Sequence, residues 1–420
     1  METPAARQDS RFFSLSNFPD QEIAGNRFMK KFHASGNFKS AIEFRNHLAL
    51  VENLSIRNGM FFINGKILLN AQHGQRLIRR VLKAKGQRGA QFSEDIVGRF
   101  GETSKDARMD RRLPAASGGY EGLDLVLDCR QSHNYYHFMT EVMCHLALAV
   151  EAKVSGNIYI HSPSETRSGF IDKFISDFFP ELVGRVIFPD KGKAEYRRAL
   201  VVFGMQQQYF MCGEGMVPSL RDFAPDNWRW RGRRAERQAY GLLVQNSFEE
   251  NLRKFRETVL SRVRETHTAD TPKRIFVVRN PRKTKRRPMV NGDLLAASLE
   301  EIGFVTISFE DMSPTEQVAH MADAEIVVMA HGAGMTNMMF AASDAVVVEL
   351  SNLQTARIRF GDFNQHAHAA GCRYLSILCD HAVDAPEVMP SLSSDGHVGV
   401  FVPENKVQTL CNMVAALGQS

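Results

Sequence analysis

Short apolar runs alternate with amphipathic stretches in two blocks of this chain. In the first block, Leu123–Cys129, Asn157–Ile160 and Leu200–Phe203 read as strands, and His137–Glu151 and Gly169–Phe179 as helices. In the second, strands are predicted at Arg274–Val278, Phe304–Ser308, Glu325–Ala330, Val346–Leu350 and Arg373–Leu378. Helices fall between them at Asn291–Ile302, Pro314–Met321 and Met335–Phe340, and a last helix covers Pro403–Ala416. Ser313 before Pro314 supplies an N-cap and a first helical residue whose missing N–H costs nothing. Strands alternating with helices predict parallel sheets covered on both faces.

Between the blocks, residues 228–270 are polar and strongly charged. Within them Asn251–Arg264 places Leu252, Phe255, Val259 and Leu260 at helical spacing, as a linker helix would. Ahead of the first block, Met60–Leu69 reads as a hairpin turning at Asn64-Gly65. Lys85–Gly119, rich in Gly, Arg and Ser, reads as a loop-rich connection. The expected organisation is a partly β N-terminal extension over 1–119, a Rossmann-like domain over 120–250, a linker helix over 251–270 and a second Rossmann-like domain over 271–420. In open parallel sheets ligands bind at the carboxyl ends of the strands, so the search for a site begins there.

Composition narrows the class. The 420 residues are 44% hydrophobic and 24% charged, which supports a folded core and argues against wholesale disorder. A net charge of +5 suits acidic ligands such as nucleotide diphosphates, without the motifs of a nucleic-acid binder. The six cysteines (Cys129, Cys144, Cys212, Cys372, Cys379 and Cys411) form no Cys-x-x-Cys, and several lie in apolar runs. They read as reduced core residues. Polar residues follow Met1 without an apolar signal region, and no stretch approaches the ~20 apolar residues of a membrane span. A cytoplasmic protein is expected.

Three features carry candidate chemistry. The strand Ile326–Met329 runs into Ala330-His331-Gly332-Ala333-Gly334-Met335-Thr336-Asn337 and then an apolar helix start. Glycines let a backbone approach phosphate, and a helix start offers N–H groups, so the turn is a candidate anion site with His331 as a further donor. A tight turn around a packed histidine is the plainer reading. The pattern is neither Gly-x-Gly-x-x-Gly nor a P-loop, which removes support from NAD and ATP chemistry. Second, Arg274–Val278 leads into Arg279, Arg282, Lys283, Lys285, Arg286 and Arg287, also at a strand's carboxyl end. Arginine can clasp phosphate bidentately; a solvated loop is the alternative. No Asp-x-Asp occurs in the sequence, so no metal and no cofactor is expected.

Third, His133, His137 and Glu141 are spaced by four and would share one face of a continuous helix. Acid–base catalysis by His137 or Glu141 fits this spacing, as does a metal site or a helix cap with satisfied polar residues. Trp228-Arg229-Trp230-Arg231-Gly232-Arg233-Arg234 could touch a membrane surface or glycan, or pack on its neighbours. Glu349, ending Val346–Val348, could accept from a ribose or face solvent.

Together these motifs resemble glycosyltransferase family 61 over about residues 120–350. Asn134-Tyr135-Tyr136-His137-Phe138 with Glu141 is similar to that family's Asn-Tyr-Tyr-His-Trp segment and following Glu. Arg279, Arg287, Asn291, Phe309–Ser313, Glu316-Gln317, His331–Gly334, Thr336-Asn337 and Glu349-Leu350 follow its order and spacing. Phe138, Met335 and Asp293 stand where Trp, Leu and Glu are usual.

The resemblance implies a GT-B fold, two Rossmann-like domains facing a cleft. It also implies inverting transfer from a nucleotide-sugar, usually a UDP-sugar, held by the C-terminal domain and passed to a glycan or glycolipid acceptor. The bacterial members it is most similar to serve capsule or lipopolysaccharide assembly. A zinc hydrolase built on His133, His137 and Glu141, and an inactive glycan-binding protein, are the competing readings.

Overall fold

A computed structural model describes residues 11–15, 41–57, 60–63, 66–67, 120–129, 131–162, 168–190, 193–204, 247–280, 287, 289–359, 361–384 and 389–418. The chain is a mixed α/β protein whose residues cluster into two compact units. Among the described residues, one unit takes those from 44 to 204 with 249–255, and the other takes the rest. The long helix Glu250–Thr266 begins in the first unit and continues into the second. No described helix is long and apolar enough to cross a membrane.

The first unit is built on a seven-stranded sheet. β6 (Leu125–Asp128), β7 (Ile158–His161) and β8 (Val186–Ile187) are parallel neighbours, and β9 (Lys193–Phe203) lies parallel on the other side of β6. Leu125, Val126 and Leu127 are all buried, as expected of a run covered on both faces. Beyond β9 the sheet turns antiparallel through β3 (His47–Arg57), β4 (Met60–Ile63) and β5 (Lys66–Ile67). β3, β4 and β5, placed from sequence in an N-terminal extension, thus share a sheet with β6, β7, β8 and β9. The strand read at Leu200–Phe203 is the buried end of β9. Its first half alternates exposed Lys193, Glu195 and Arg197 with less exposed residues, a pattern that hid it. The predicted hairpin pairs as β4 and β5, with Phe62 opposite Ile67. Its Asn64-Gly65 turn, like the Lys85–Gly119 connection, lies outside the described residues.

In the second unit β11 (Arg274–Val277), β13 (Val305–Ile307), β14 (Ile326–Ala330), β15 (Val346–Asn352) and β16 (Arg373–Ala382) are parallel, in the order β13-β11-β14-β15-β16. β17 (Gly399–Phe401) and β12 (Met289–Val290) extend that edge, and β1 (Arg11–Ser14) pairs in parallel with β16. A small ladder, β2 (Ile42–Phe44) with β10 (Ser247–Glu249), stands apart. The second-first-third order places a topological switch between β11 and β14, where an open sheet offers a crevice beyond its strand ends. Phe276, Val328, Val348, Leu375, Leu410 and Val414 are among the residues of the core beneath it.

The helix over Pro314–Asp323 starts as read. Ser313 accepts from the Glu316 N–H at 3.2 Å, and the Glu316 carboxylate accepts from the Ser313 N–H at 2.8 Å, a capping box worth about 1 kcal/mol. The segment read as a helix at Met335–Phe340 is a 3₁₀ helix, Ala333–Phe340, closed by the Met335 N–H to Gly332 carbonyl bond at 2.9 Å. Met335, Met338, Met339 and Phe340 are all fully buried, so it threads the core instead of lying on it. Leu353–Arg359 and Asn364–Ala370 are helices that the sequence pattern did not announce. Five cysteines are buried free thiols, in keeping with the core reading; Cys212 lies outside the described residues.

Candidate active site

The second unit assembles its candidate site from the loops that leave β11 and β14. Parallel register sets Val277 beside Met329, so Arg279 and His331, each two residues further on, emerge together at the switch point. They meet directly. Arg279 donates from Nη2 to the His331 carbonyl at 2.6 Å and from Nη1 to the Arg287 carbonyl at 3.3 Å. One guanidinium thereby ties the basic loop to the glycine turn. Burial lowers the Arg279 pKa from its ordinary value, and Glu310 partly offsets that.

This clamp explains Gly332. A Cβ there would sit 1.9 Å from Arg279 Nη2, so a larger residue would push the guanidinium off the His331 carbonyl. Its φ of 170° is ordinary extended backbone, and close approach is the reason for the residue type. Gly334 carries no such demand, its nearest neighbour being the Met329 methyl at 3.4 Å. Ala333 and Gly334 form the part of the turn that remains partly exposed.

Glu349 is not a solvent-facing strand end. β15 runs on to Asn352, and Glu349 is buried in mid-strand, 5% exposed. His331 Nδ1 and the Tyr374 hydroxyl both bond its carboxylate. Burial raises the Glu349 pKa, but hydrogen bonds from His331, Tyr374 and Ser376 outweigh it and hold the carboxyl below its ordinary value. Phe363 packs edge-on against the His331 ring at 5.3 Å.

Thr336 and Asn337 are placed differently from a ligand-facing expectation. Their side chains are 0% and 1% exposed, and the Asn337 amide donates to Gln317 Oε1 at 3.1 Å. Gln317 in turn donates to the Phe309 carbonyl at 2.9 Å. Asn337 and Gln317 brace the turn from within, while the buried Thr336 hydroxyl has no hydrogen-bond partner among the described residues. Arg287 is partly exposed at a positive φ of 55°. Arg282, Lys283, Lys285 and Arg286 lie outside the described residues.

Sequence reasoning missed Arg359, Asp362 and His397. Arg359 pairs with Asp362 at 3.3 Å. Burial lowers His397, and Arg287, Arg359 and His331 push it further down. Arg287, Arg359 and His331 therefore share one electrostatic neighbourhood with His397. No local signature marks these residues, because they reach His331 only through the fold.

In the first unit, Asn134 caps a short helix, Tyr135–Phe138, by accepting from the His137 N–H at 3.4 Å. A π-helical turn, Met139–Met143, follows and passes into the helix Cys144–Glu151. Single π turns recur at functional sites. His137 Nδ1 lies 2.8 Å from Glu141 Oε1, and both side chains are largely buried. Of the three residues read as one helical face, His137 and Glu141 are together and His133 is not. The helix begins after Asn134, so His133 falls in the preceding turn. Among the described residues no three His, Cys, Asp or Glu side chains are gathered as metal ligands would be, so the zinc reading is not favoured. A network that sequence did not reveal lies nearby: His161 bonds the Tyr196 hydroxyl at 2.8 Å, and Asp128 acts on both His145 and His161. The Trp228–Arg234 segment lies outside the described residues.

Over 110 residues the chain is 32% identical to an EGF domain-specific O-linked N-acetylglucosamine transferase of Xenopus laevis, covering 25% of this chain and 21% of that protein. Over 125 residues it is 30% identical to the protein of the same description from Drosophila melanogaster, covering 29% and 23%. The matched stretch spans under a quarter of either relative, and both are animal proteins, which lends the bacterial placement no support. A family model, Glycosyltransferase 61, matches residues 135–348, just over half of the chain. That match takes in the His137–Glu141 pair, Arg279 and the His331 turn, and the chain belongs to the glycosyltransferase 61 family and is a glycosyltransferase.

Proposed function

We propose that the enzyme is an inverting, metal-independent glycosyltransferase of GT-B architecture that takes its sugar from a UDP-sugar. The observation that carries this reading is the Arg279 clamp, which joins a glycine turn to a basic loop at the switch point of a parallel sheet. Such a junction suits a diphosphate. Ala333 and Gly334 offer backbone N–H groups, His331 a ring nitrogen, and Arg287 a cation. Asn337 and Glu349 hold the turn and the histidine in place, and Thr336 is buried within the same turn.

The acceptor, a glycan or glycolipid, is assigned to the unit that carries His137. Its hydroxyl oxygen attacks the anomeric carbon as the bond from that carbon to the diphosphate breaks. His137 takes the hydroxyl proton, Glu141 orients the imidazole through Nδ1, and UDP leaves with one further negative charge. Stabilising that charge with preorganised cations and N–H groups is the larger share of the work. Bacterial capsule or lipopolysaccharide assembly, in the cytoplasm or at the inner face of a membrane, is the setting the family resemblance suggests.

A thermal-shift panel of nucleotide-sugars tests this reading, with UDP-N-acetylglucosamine first because the two animal relatives are named for that sugar. A ligand that binds only the folded state adds RT ln(1 + [L]/Kd), about 2.7 kcal/mol at a hundredfold excess over Kd. We expect one UDP-sugar to raise Tm, with turnover unaffected by EDTA. A panel with no shift, or turnover lost in EDTA and restored by Mn²⁺ or Mg²⁺, would count against it.

A further inference from the structure

Glu349 presents a buried acid in the middle of a parallel sheet, where a lone carboxylate would be costly. It is compensated from both neighbouring strands. His331 bonds it from the end of β14, and Tyr374 and Ser376 bond it from β16. The register sets Glu349 beside Met329 on one side and Ser376 on the other, so the acid sits directly beneath the turn. An ionised carboxylate only accepts hydrogen bonds, and the Tyr374 and Ser376 hydroxyls favour that ionised form. His331 must therefore carry its proton on Nδ1. The Phe363 ring also packs against the imidazole.

We propose that Glu349 is a positioning residue that acts through His331. With Tyr374 and Ser376 it fixes the imidazole so that Nε2 is the nitrogen offered to the departing diphosphate. As the glycosidic bond breaks, the leaving oxygen gains charge, and Nε2 meets it as a hydrogen-bond donor when the ring is protonated. Glu349 then serves as the buried counter-ion of the imidazolium. No ribose contact is needed to account for the acid. This inference rests on His331 being a donor contact, as proposed above.

The test is a double-mutant cycle on purified full-length enzyme, reading kcat and KM for the UDP-sugar. Glu349→Gln is expected to lower kcat by about 10–100-fold, as loss of an orienting partner does elsewhere, with KM nearly unchanged. In a His331→Ala background the same substitution should cost nothing further, because its route to the substrate is already gone. If Glu349→Gln prevents folding, Tyr374→Phe takes its place, with a smaller loss of kcat that again vanishes in His331→Ala. Wild-type kcat in folded Glu349→Gln, or losses that multiply in the double variant, would overturn the proposal. A His331→Ala enzyme with unchanged kcat and UDP affinity would instead remove the donor reading beneath it.

Discussion

Replacement of His137 by alanine is expected to lower turnover by about 10²–10⁴ while UDP-sugar affinity stays near that of the wild type. His137 sits in a capped helical turn, and Glu141 accepts at Nδ1, so Nε2 is the nitrogen turned away from the carboxylate. An imidazole suits removal of a hydroxyl proton near neutral pH. The carboxylate's place is that of an orienting partner, so Glu141→Gln should cost less than His137→Ala. Steady-state kinetics on both variants checks this. A dead Glu141→Gln enzyme beside an active His137→Ala enzyme would pass the base role to Glu141, and near-normal turnover in both would remove this pair from the chemistry.

Stability should fall steeply in mild acid. Burial lowers His145, His161 and His381 to about 4 and His366 to about 3, with Asp128 opposing the shift at His145 and His161. Each folded-state value lies below the ordinary value near 6.5, so the unfolded chain takes up the proton first as pH falls. The contribution of neutral burial is whole above about pH 6.5 and drains away toward about pH 4. For the most enclosed pair, His145 at 3% and His366 at 0% exposure, the slope reaches about 1.4 kcal/mol per pH unit each. Glu349, whose pKa is depressed, adds its own loss only at lower pH. His145 lies in one unit and His366 in the other, so both should soften. Unfolding midpoints measured across the range check this, and a Tm that is flat from pH 7 to 5 would contradict it.

The sequence shows these sites unevenly, for physical reasons. Strands such as Ile326–Ala330 and the first half of Val346–Asn352 are legible because both faces are buried, which leaves continuous apolar runs. β3 is not, because Glu52 and Asn53 interrupt it and β9, one of its two pairing partners, lies well over a hundred residues away. β1 is four residues long, too short to show a period. The His137–Glu141 pair is visible because it is local, at helical spacing. The π turn is not, since a one-residue change of period leaves no mark on composition. Glu349 shows the limit best: the acid and the turn can be read, but Tyr374 reaches it only through strand order. Arg359 and His397 are hidden in the same way.

The central claim is that the donor diphosphate rests on the junction tied by Arg279. Calorimetric titration of UDP into wild-type, Arg279→Ala and His331→Ala enzymes tests it most directly. His331→Ala should weaken UDP by about 1.5–3 kcal/mol, the loss expected for a hydrogen bond to a charged group, or roughly 10- to 150-fold in Kd, and Arg279→Ala should weaken it by releasing the junction on which the diphosphate rests. Unchanged UDP affinity in both variants, with folding intact by circular dichroism, would contradict the account.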